Sequence, residues 1–356
     1  MSHSKQSSGN RATVRSLATA VPDHALQQSD VAERVTELFG NRMGNFDRLK
    51  TAFKNAGIGT RYSARPADWY TQPHCWRERN DAYVAVSEEL FRSATIKALG
   101  DARMRAGEID TIVTVSSTGI ATPTIEARQM HAMGFRDGVR RVPVFGLGCA
   151  GGVTGLSLAA RLAAAEPGSN VLLVVIELCT LSFQYDELSK SNIIACALFG
   201  DGAAAAVLST TGRTALGEIE HGGEHTWPDT LDIMGWRVDG GGLGVVFDRS
   251  IPDLVKNHMH SATCGFLDQH HLGFDDIGGF VFHPGGAKVL DALEDVFELN
   301  QGDLNTERDV LRDYGNMSAP TVLFVLDAAL RRKSGVRHML GSLGPGFTAS
   351  YATLIN

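Results

Sequence analysis

The segment that decides the fold of this 356-residue chain is Arg141-Val-Pro-Val-Phe145, followed by Gly146-Leu-Gly-Cys149-Ala-Gly-Gly152 and then by Val153-Thr-Gly-Leu-Ser-Leu-Ala-Ala-Arg-Leu-Ala-Ala-Ala165. The first part predicts a short strand, the glycine-rich part a tight turn, and the part rich in Ala and Leu a helix. A strand that passes through a sharp turn into a helix is the repeating unit of α/β proteins. Cys149 lies at the centre of that turn.

The same alternation of short apolar runs and helical segments continues along the chain. Unbroken apolar runs, typical of strands covered on both faces, predict strands at Thr111–Ser116, Val142–Phe145, Asn170–Glu177, Ala203–Leu208 and Phe280–His283. Helical spacing predicts helices at Thr124–Met133, Gly152–Ala165, Ala287–Leu299 and Ala319–Arg331. We therefore expect α/β layers around a largely parallel sheet.

The chain contains an internal repeat with a constant offset of 167 positions, the separation of Cys149 and Asn316. At this offset Val113-Thr-Val-Ser116 also lies over Phe280-Val-Phe-His283 without a gap. One offset that serves two separate strand–loop–helix units indicates duplication. We expect two similar halves, residues 1–212 and 213–356, packed about a pseudo-twofold axis. Cys149 and Asn316 would then begin equivalent central helices, with His283 at the end of a neighbouring strand.

Composition excludes several classes of protein. With 33 Lys and Arg against 40 Asp and Glu, the net charge is −7, so neither nucleic acid nor an anionic membrane is an expected partner. Five cysteines without regular spacing argue against a disulfide framework and for a reducing compartment. The longest apolar run, Val171–Ile176, is too short to span a bilayer, and residues 1–10 lack the apolar core of a secretory signal. We expect a cytoplasmic protein without a membrane span.

Cys149 is the best candidate for a catalytic nucleophile. At the N-terminal end of a helix, unpaired N–H groups and the helix dipole favour a thiolate over a thiol. The small neighbours of Cys149 leave room for a substrate beside the sulfur. A buried structural cysteine is the alternative, and Cys179 and Cys196 fit that alternative better because they lie inside apolar runs.

Two polar residues of the second half complete a candidate site. His283 ends a predicted strand before Pro284-Gly-Gly286, which aims its imidazole. Asn316 could instead cap a helix, but the duplication places it opposite Cys149. No Asp accompanies the set, as a hydrolytic triad would require. A His and an Asn that both donate hydrogen bonds can stabilise a thioester carbonyl or its enolate, which suits decarboxylating carbon–carbon bond formation. The remaining histidines lack metal-ligand spacing, so we expect no metal.

Nucleotide binding is an alternative interpretation of the glycine-rich turn. Gly146-x-Gly148-x-x-Gly151 follows a predicted strand and opens a helix, and the next strand ends at Glu177. This pattern is typical of a dinucleotide-binding turn and would imply an NAD-dependent oxidoreductase. Two observations count against it. The second copy of the repeat, Gly315-Asn-Met-Ser-Ala319, lacks the glycines, and a pyrophosphate site explains neither Cys149 nor Asn316.

Five segments occur in a characteristic order: Gly148-Cys-Ala-Gly-Gly152, Ala197-Leu-Phe-Gly-Asp-Gly-Ala-Ala204, Phe282-His-Pro-Gly-Gly286, Gly315-Asn-Met-Ser318 and Gly344-Pro-Gly-Phe347. Together they resemble the type III polyketide synthases, the chalcone and stilbene synthase family. The resemblance implies a thiolase-like αβαβα fold and a homodimer. It also implies that free CoA thioesters, an acyl-CoA starter and malonyl-CoA, are the substrates, with no acyl carrier protein and no cofactor.

The resemblance further implies roles for single residues. Cys149 resembles the acyl-loading nucleophile, supported by an ion pair with His283. His283 and Asn316 resemble the pair that directs malonyl-CoA decarboxylation and holds the enolate. Phe199 resembles the aromatic gate between entrance and cavity, and Thr122 falls where the family reaches across the dimer interface. The other implied cavity residues are Ser117, Thr118, Cys179, Ser182, Trp236, Val245 and Ser318, with Gly344, Pro345 and Gly346 at the floor.

Departures from the plant members bear on the substrate. Val245 stands where those enzymes have a second gating Phe, and the run Thr226–Trp236 is similar to bacterial members that make alkylpyrones and alkylresorcinols. A smaller side chain at the neck makes room for an aliphatic chain. We therefore expect a fatty acyl-CoA starter and an alkylpyrone or alkylresorcinol product.

Two further expectations remain open at the level of sequence. Arg48, Lys50 and Lys54 fall where the family binds CoA, although a solvated basic helix face is nearly as good an interpretation. A ketoacyl-acyl carrier protein synthase III would also use Cys, His and Asn. The segment His283-Pro-Gly-Gly286, in place of His-Gln-Ala-Asn, argues against that enzyme.

Overall fold

The computed structural model describes residues 11–40, 42–43, 46–212, 216–332 and 335–356, with the side chains of residues 47–49 outside that description. Its strands are β1 Thr13–Ala20, β2 His24–Gln27, β3 Thr60–Ser63, β4 Thr111–Val115, β5 Arg140–Val144, β6 Asn170–Leu178, β7 Asp201–Ser209, β8 Gly217–Thr226, β9 Met234–Asp239, β10 Gly242–Phe247, β11 Gly279–Phe282, β12 Arg337–Gly344 and β13 Thr348–Ile355. Its helices are α1 Gln28–Phe39, α2 Phe46–Asn55, α3 Trp76–Ala102, α4 Ile125–Gln129, α5 Gly151–Ala165, α6 Lys190–Leu198, α7 Ile251–Gln269, α8 Ala287–Val296, α9 Asn305–Tyr314 and α10 Thr321–Arg332. Within these ranges, no helix has the length and apolar character needed to cross a lipid bilayer.

Nine strands form one mixed sheet in the order β11-β12-β13-β8-β1-β7-β6-β4-β5. The pairs β11–β12, β4–β6 and β4–β5 are parallel, and the other five pairs are antiparallel. The expectation of a largely parallel sheet is therefore wrong. Unbroken apolar runs report burial on both faces rather than strand direction, and the short turn from β12 to β13 allows an antiparallel pair.

The duplication is visible in the order of the strands. The series β4-β6-β7-β1 and the series β11-β12-β13-β8 each contain one parallel pair followed by two antiparallel pairs. The two series meet at the antiparallel pair β1–β8 in the middle of the sheet. Strand β5 extends the first series at its edge. The repeat in the sequence therefore corresponds to a repeat in the structure.

Three groups of buried side chains define the layers. One group joins α5 and α10 to both halves of the sheet and includes Leu156 and Leu323. A second packs α3 against the other face of the first half and includes Phe91. A third packs α7 and α8 against the other face of the second half and includes Phe266 and Leu290. The order of layers is therefore αβαβα, with α5 and α10 in the central layer.

The two central helices approach each other closely near their N-terminal ends. A Cβ atom added at Gly152 would lie 2.2 Å from the backbone carbonyl oxygen of Ala319, which no real side chain tolerates. Glycine at this position therefore permits the contact. Because Cys149 precedes α5 and Asn316 precedes α10, the contact brings the candidate residues of the two halves to one place.

Candidate active site

Cys149 lies in a turn of 3-10 helix, Gly148–Ala150, between β5 and α5. Gly148 has a φ of +48°, in the left-handed region that glycine adopts without strain, so the chain turns from strand to helix within a few residues. The residue is buried, with 9% of its surface exposed. Its thiol donates to the hydroxyl of Ser318, at an Sγ–Oγ distance of 3.4 Å.

His283 and Asn316, from the second half, reach the same place. His283 follows β11 and Asn316 lies between α9 and α10, and both are buried. The Asn316 amide is fixed, because Nδ2 donates to the Gly285 carbonyl at 3.1 Å and Oδ1 accepts from the Ser318 N–H at 2.8 Å. Neither ring nitrogen of His283 has a hydrogen-bond partner among the described residues. Cys149, His283 and Asn316 together line a cavity of about 30 Å³, the nucleophile cavity.

A second cavity, the gate cavity, has a volume of about 40 Å³ and shares Cys149 and Phe247 with the first. The rings of Phe199 and Trp236 meet there edge to face, with centroids 6.5 Å apart. The hairpin of β9 and β10 forms one wall and supplies Trp236 and Val245. The wall contains most of the predicted cavity residues: Ser117, Thr118, Phe199, Trp236, Val245, Ser318 and Pro345.

Some predicted cavity residues lie elsewhere. Cys179 and Ser182 line a third cavity of about 80 Å³, the apolar cavity, which shares Phe199 with the gate cavity. Gly344 lies behind the nucleophile turn, where an added Cβ atom would be 2.5 Å from the Leu147 carbonyl oxygen, and Gly346, with a φ of +81°, completes its turn. Thr122 is exposed and lines none of these three cavities.

Comparison with known proteins identifies the family. The models for the N-terminal and C-terminal domains of chalcone and stilbene synthases match residues 1–212 and 218–350. The chain is 38% identical to a 1,3,6,8-tetrahydroxynaphthalene synthase of Streptomyces peucetius subsp. caesius, over 96% of this chain and 92% of that protein. It is 35% identical to a putative chalcone synthase of Bacillus subtilis (strain 168), over 95% of this chain and 97% of that protein. The chain belongs to the chalcone and stilbene synthase family.

A solved structure agrees with this assignment. The crystal structure of 1,3,6,8-tetrahydroxynaphthalene synthase from Streptomyces coelicolor A3(2), a bacterial type III polyketide synthase, matches with a TM-score of 0.91 at 27% identity, over 96% of this chain and 99% of that chain. The chain is therefore a type III polyketide synthase with a thiolase-like fold, an acyltransferase that works by decarboxylating condensation. The resemblance seen in the sequence is confirmed, and the assignment disfavours the ketoacyl-acyl carrier protein synthase III alternative.

The glycine-rich turn of the synthase packs closely against Pro345. A Cβ atom added at Gly148 would lie 2.6 Å from the ring of Pro345, so the Gly344–Gly346 turn covers the space where a pyrophosphate would contact the helix start. Glu177 is buried and accepts a backbone hydrogen bond rather than facing an open crevice. The family assignment and this packing disfavour the nucleotide-binding alternative.

Glu177 is a member of the site that the sequence did not predict. It lines the gate cavity with Cys149 and accepts the Ser117 N–H at 2.9 Å. Burial raises the pKa of this carboxyl to about 8, so most of it is protonated at neutral pH. The signal in the sequence was an acidic residue at the end of an otherwise apolar strand. That residue was interpreted as part of a nucleotide-binding site.

A larger cleft, with a volume of about 520 Å³, adjoins the nucleophile cavity. The two share Phe247 and Gly285. Helix α2 supplies Thr51 and Asn55 to the cleft, whereas Lys50 and Lys54 are exposed outside its lining. The side chain of Arg48 lies outside the described residues. The cations that line the cleft are Lys190, Arg249 and Lys288.

Burial keeps the resting site neutral. It raises the pKa of the Cys149 thiol to about 12 and lowers the pKa of the His283 imidazole to about 3, because water solvates neither charged form. The thiol also bonds to Ser318 rather than to the imidazole. Burial therefore opposes the expected thiolate–imidazolium pair, which stays a prediction. No three His, Cys, Asp or Glu side chains in the described ranges are grouped to hold a metal ion.

A neutral thiol predicts a steep pH dependence of alkylation. Below a pKa of about 12, the thiolate fraction rises about tenfold with each pH unit. The rate of Cys149 modification by iodoacetamide should therefore rise about tenfold per unit between roughly pH 7 and pH 9, without a plateau. Peptide mass spectrometry at timed intervals measures the rate, and Cys149→Ser identifies labelling at other cysteines. A rate already constant at neutral pH would instead indicate a preformed thiolate.

Proposed function

We propose that this synthase loads a fatty acyl group from acyl-CoA onto Cys149, extends it by repeated decarboxylating condensation with malonyl-CoA, and cyclises the chain to an alkylpyrone or alkylresorcinol. One observation carries the proposal: a buried thiol, an imidazole without a bonded partner and a fixed carboxamide line one cavity. That set supplies a nucleophile, a base and hydrogen-bond donors for an enolate. In the part of the chain that the structure describes, no carboxylate is bonded to the imidazole, as one would be in a hydrolytic triad.

Loading starts from the neutral pair. The neutral imidazole of His283 accepts the proton of the Cys149 thiol as the starter thioester enters the cavity. The thiolate attacks the thioester carbonyl, the bond from that carbon to the CoA sulfur breaks, and the departing sulfur takes the proton from the imidazolium. Charge is present only during the reaction, so the cavity does not have to stabilise a resting ion pair.

Extension uses the same cavity. Malonyl-CoA loses its carboxylate as CO2, and the electron pair of the broken bond forms an enolate on the thioester. The second N–H of the Asn316 amide and an N–H of His283 donate to the enolate oxygen. The enolate carbon attacks the acyl carbonyl on Cys149, and the sulfur leaves as thiolate, so that the extended chain is now a CoA thioester. The Cys149 thiolate then attacks this thioester and releases CoA, which returns the chain to Cys149 for the next extension. Lactone formation or aldol closure ends the cycle when the chain fills the space.

We assign the 520 Å³ cleft to CoA. A chain with a net charge of −7 needs a local group of cations to bind phosphates. Lys190, Arg249 and Lys288 are exposed at this cleft, and its inner end shares walls with the nucleophile cavity. A thioester whose nucleotide lies in the cleft therefore points its carbonyl toward Cys149.

We assign the apolar cavity to the tail of the starter. The volume of about 80 Å³ is several times the roughly 10–15 Å³ that a single water needs, so the cavity has space for part of an alkyl chain. Phe199 is common to this cavity and the gate cavity, so a chain attached to Cys149 enters past its ring. The wall is mainly apolar and includes Leu26, Val31, Val35, Leu38, Phe183 and Ala195.

A homodimer is proposed from the free edge of the sheet. Strand β5 is one of the two edge strands of the nine-stranded sheet, and Phe145, which follows it, is 58% exposed. Ile120, close in sequence to Thr122, is 53% exposed. Large exposed apolar side chains beside an unpaired strand edge fit a second copy of the chain.

Asn316→Ala should separate loading from extension. Removal of one donor to an oxyanion typically costs about 3–4 kcal/mol, so CO2 release and extension should fall roughly 100- to 1000-fold. Loading should persist, because it uses Cys149 and His283. Labelled malonyl-CoA measures CO2 release, and intact-protein mass after starter addition measures loading, with Cys149→Ala as the control without loading. Equal losses in both steps would contradict the role of Asn316.

Joint replacement of Lys190, Arg249 and Lys288 by Ala should weaken CoA binding. Exposed ion contacts are individually weak, so KM for malonyl-CoA should rise roughly 3- to 100-fold with little change in kcat. The dependence of KM on salt should become flatter. The matched control is Lys50→Ala with Lys54→Ala, which removes exposed positive charge outside the cleft. A larger increase of KM in the control pair than in the triple variant would contradict this assignment and would indicate that CoA binds at α2.

Ala195→Leu should shorten the accepted starter. The residue is buried in the wall of the apolar cavity, so the added carbons occupy the space for the tail. Since each buried methylene contributes about 0.8 kcal/mol, kcat/KM for a dodecanoyl-CoA starter should fall roughly 10- to 50-fold. Butyryl-CoA, tested on the same protein, serves as the control and should be used within about twofold of the parent rate. The same loss for both starters would place the tail elsewhere.

A further inference from the structure

Arg61 is a buried cation beneath the segment that carries Phe199. It lies in β3 and is only 2% exposed. Its guanidinium donates to the backbone carbonyls of Cys196, Ala197 and Phe199, at 3.0 Å for the last two. These carbonyls end α6, whose last turn has no basic side chain of its own. Arg61 therefore supplies the positive charge that the C-terminal end of a helix attracts.

The segment held by Arg61 is joined to Asn316 by backbone hydrogen bonds. The Asn316 N–H donates to the Leu198 carbonyl at 2.9 Å, and the Gly200 N–H donates to the Asn316 carbonyl at 3.0 Å. These bonds pair Phe199 with Asn316 as an isolated parallel bridge. The gate residue and the carboxamide of the nucleophile cavity therefore belong to one bonded unit that rests on Arg61.

Burying a guanidinium group at the end of a helix costs free energy, because the charge loses its hydration. A glycine in the left-handed conformation commonly ends one without any charge, whereas a buried ion is tolerated only when it is well bonded. Burial lowers the pKa of Arg61 to about 10, so it remains charged at neutral pH. The buried carboxyl of Asp201 also attracts it. The guanidinium group of Arg61 is rigid and planar, and it bonds to three carbonyl groups at once. It therefore fixes the orientation of all three carbonyls, which a single donor would not do.

We propose that Arg61 is a positioning residue for decarboxylating condensation. By holding the segment 198–200, it sets where the Asn316 carboxamide meets the enolate and where the Phe199 ring lies. The inference rests on the role proposed above for Asn316. A displacement of about 1 Å can lower a rate about 100-fold, so loss of the Arg61 contacts should impair extension while Cys149 still loads.

Arg61→Met and Arg61→Lys in the full-length synthase test this inference, with Arg79→Met as a matched control. Arg79 is also buried, at 4% exposed. It donates to three carbonyls outside the unit that contains Asn316, those of Leu181, Phe183 and Gly241. Intact mass measures loading, labelled malonyl-CoA measures CO2 release, and thermal unfolding measures Tm.

The expected result is a split between two steps. Because Arg61 also lines the apolar cavity, loading is measured with butyryl-CoA, whose tail is short. Arg61→Met should lower CO2 release roughly 10- to 100-fold and this loading less than about threefold. Arg61→Lys, which retains the charge, should recover part of that loss but remain at least about threefold below the parent. Arg79→Met should lower Tm without separating the two steps. Equal loss of loading and CO2 release in Arg61→Met would overturn the inference. CO2 release at the parent level in Arg61→Lys would also overturn it. If Arg61→Met does not fold, the result for Arg61→Lys decides.

A double variant tests whether Arg61 acts through Asn316. Added to Asn316→Ala, the Arg61→Met change should lower CO2 release by less than about threefold more, because the group it positions is already absent. Losses that multiply would overturn the inference. If Asn316→Ala alone leaves CO2 release unchanged, the role proposed for Asn316 is wrong, and this inference falls with it for a different, recognisable reason.

Discussion

The contact between the starts of two central helices is the constraint on which the rest of this molecule depends. At Gly152 there is no space for even a methyl group against the Ala319 carbonyl, so α5 and α10 meet backbone to backbone. Cys149 precedes one helix and Asn316 the other, and the shared sheet aligns the halves through β1 and β8. Each half alone carries an incomplete set of groups. The site is therefore a property of the pair of halves, as the offset between Cys149 and Asn316 indicated.

The packing that gathers the site also removes water from it, and this decides its charge. Burial raises the pKa of Cys149 and Glu177 and lowers the pKa of His283, so all three favour their neutral forms at rest. A neutral thiol is a poor nucleophile, which is a cost for loading. The same dryness protects an enolate from protonation, and hydrogen bonds to it are stronger than they would be in water. If His283 and Cys149 become charged only when substrate is present, the site can form a nucleophile for loading and still protect the enolate from water.

The sequence predicted the elements of this architecture that leave a periodic or repeated signal. The turn at Cys149, the equivalence of Cys149 with Asn316, and the central helices all follow from local pattern and one offset. Strand direction did not follow, because an apolar run is the same in a parallel and an antiparallel sheet. The burial that opposes a thiolate at Cys149 did not follow either, because sequence spacing does not indicate how deeply a single atom is buried. Arg61, close in sequence to a tyrosine and a serine in an ordinary short strand, gave no signal, since its partners are backbone carbonyls more than a hundred residues away.

The connected cavities impose one orientation on a CoA thioester by solvation alone. The cleft carries Lys190, Arg249 and Lys288, whereas the apolar cavity beyond Phe199 is lined mainly by apolar side chains. Its two cations are already bonded, Arg34 to Asp68 and Arg61 to backbone carbonyls. A phosphate in the apolar cavity would lose its hydration without adequate compensation, and an alkyl chain in the open cleft would gain little from burial. These preferences support the proposed placement of the nucleotide in the cleft and of the tail beyond Phe199. Its carbonyl then lies between them, where Cys149 borders both the nucleophile cavity and the gate cavity. Orientation in this synthase thus follows from the difference in polarity between two walls, and the reacting residues need only be held still.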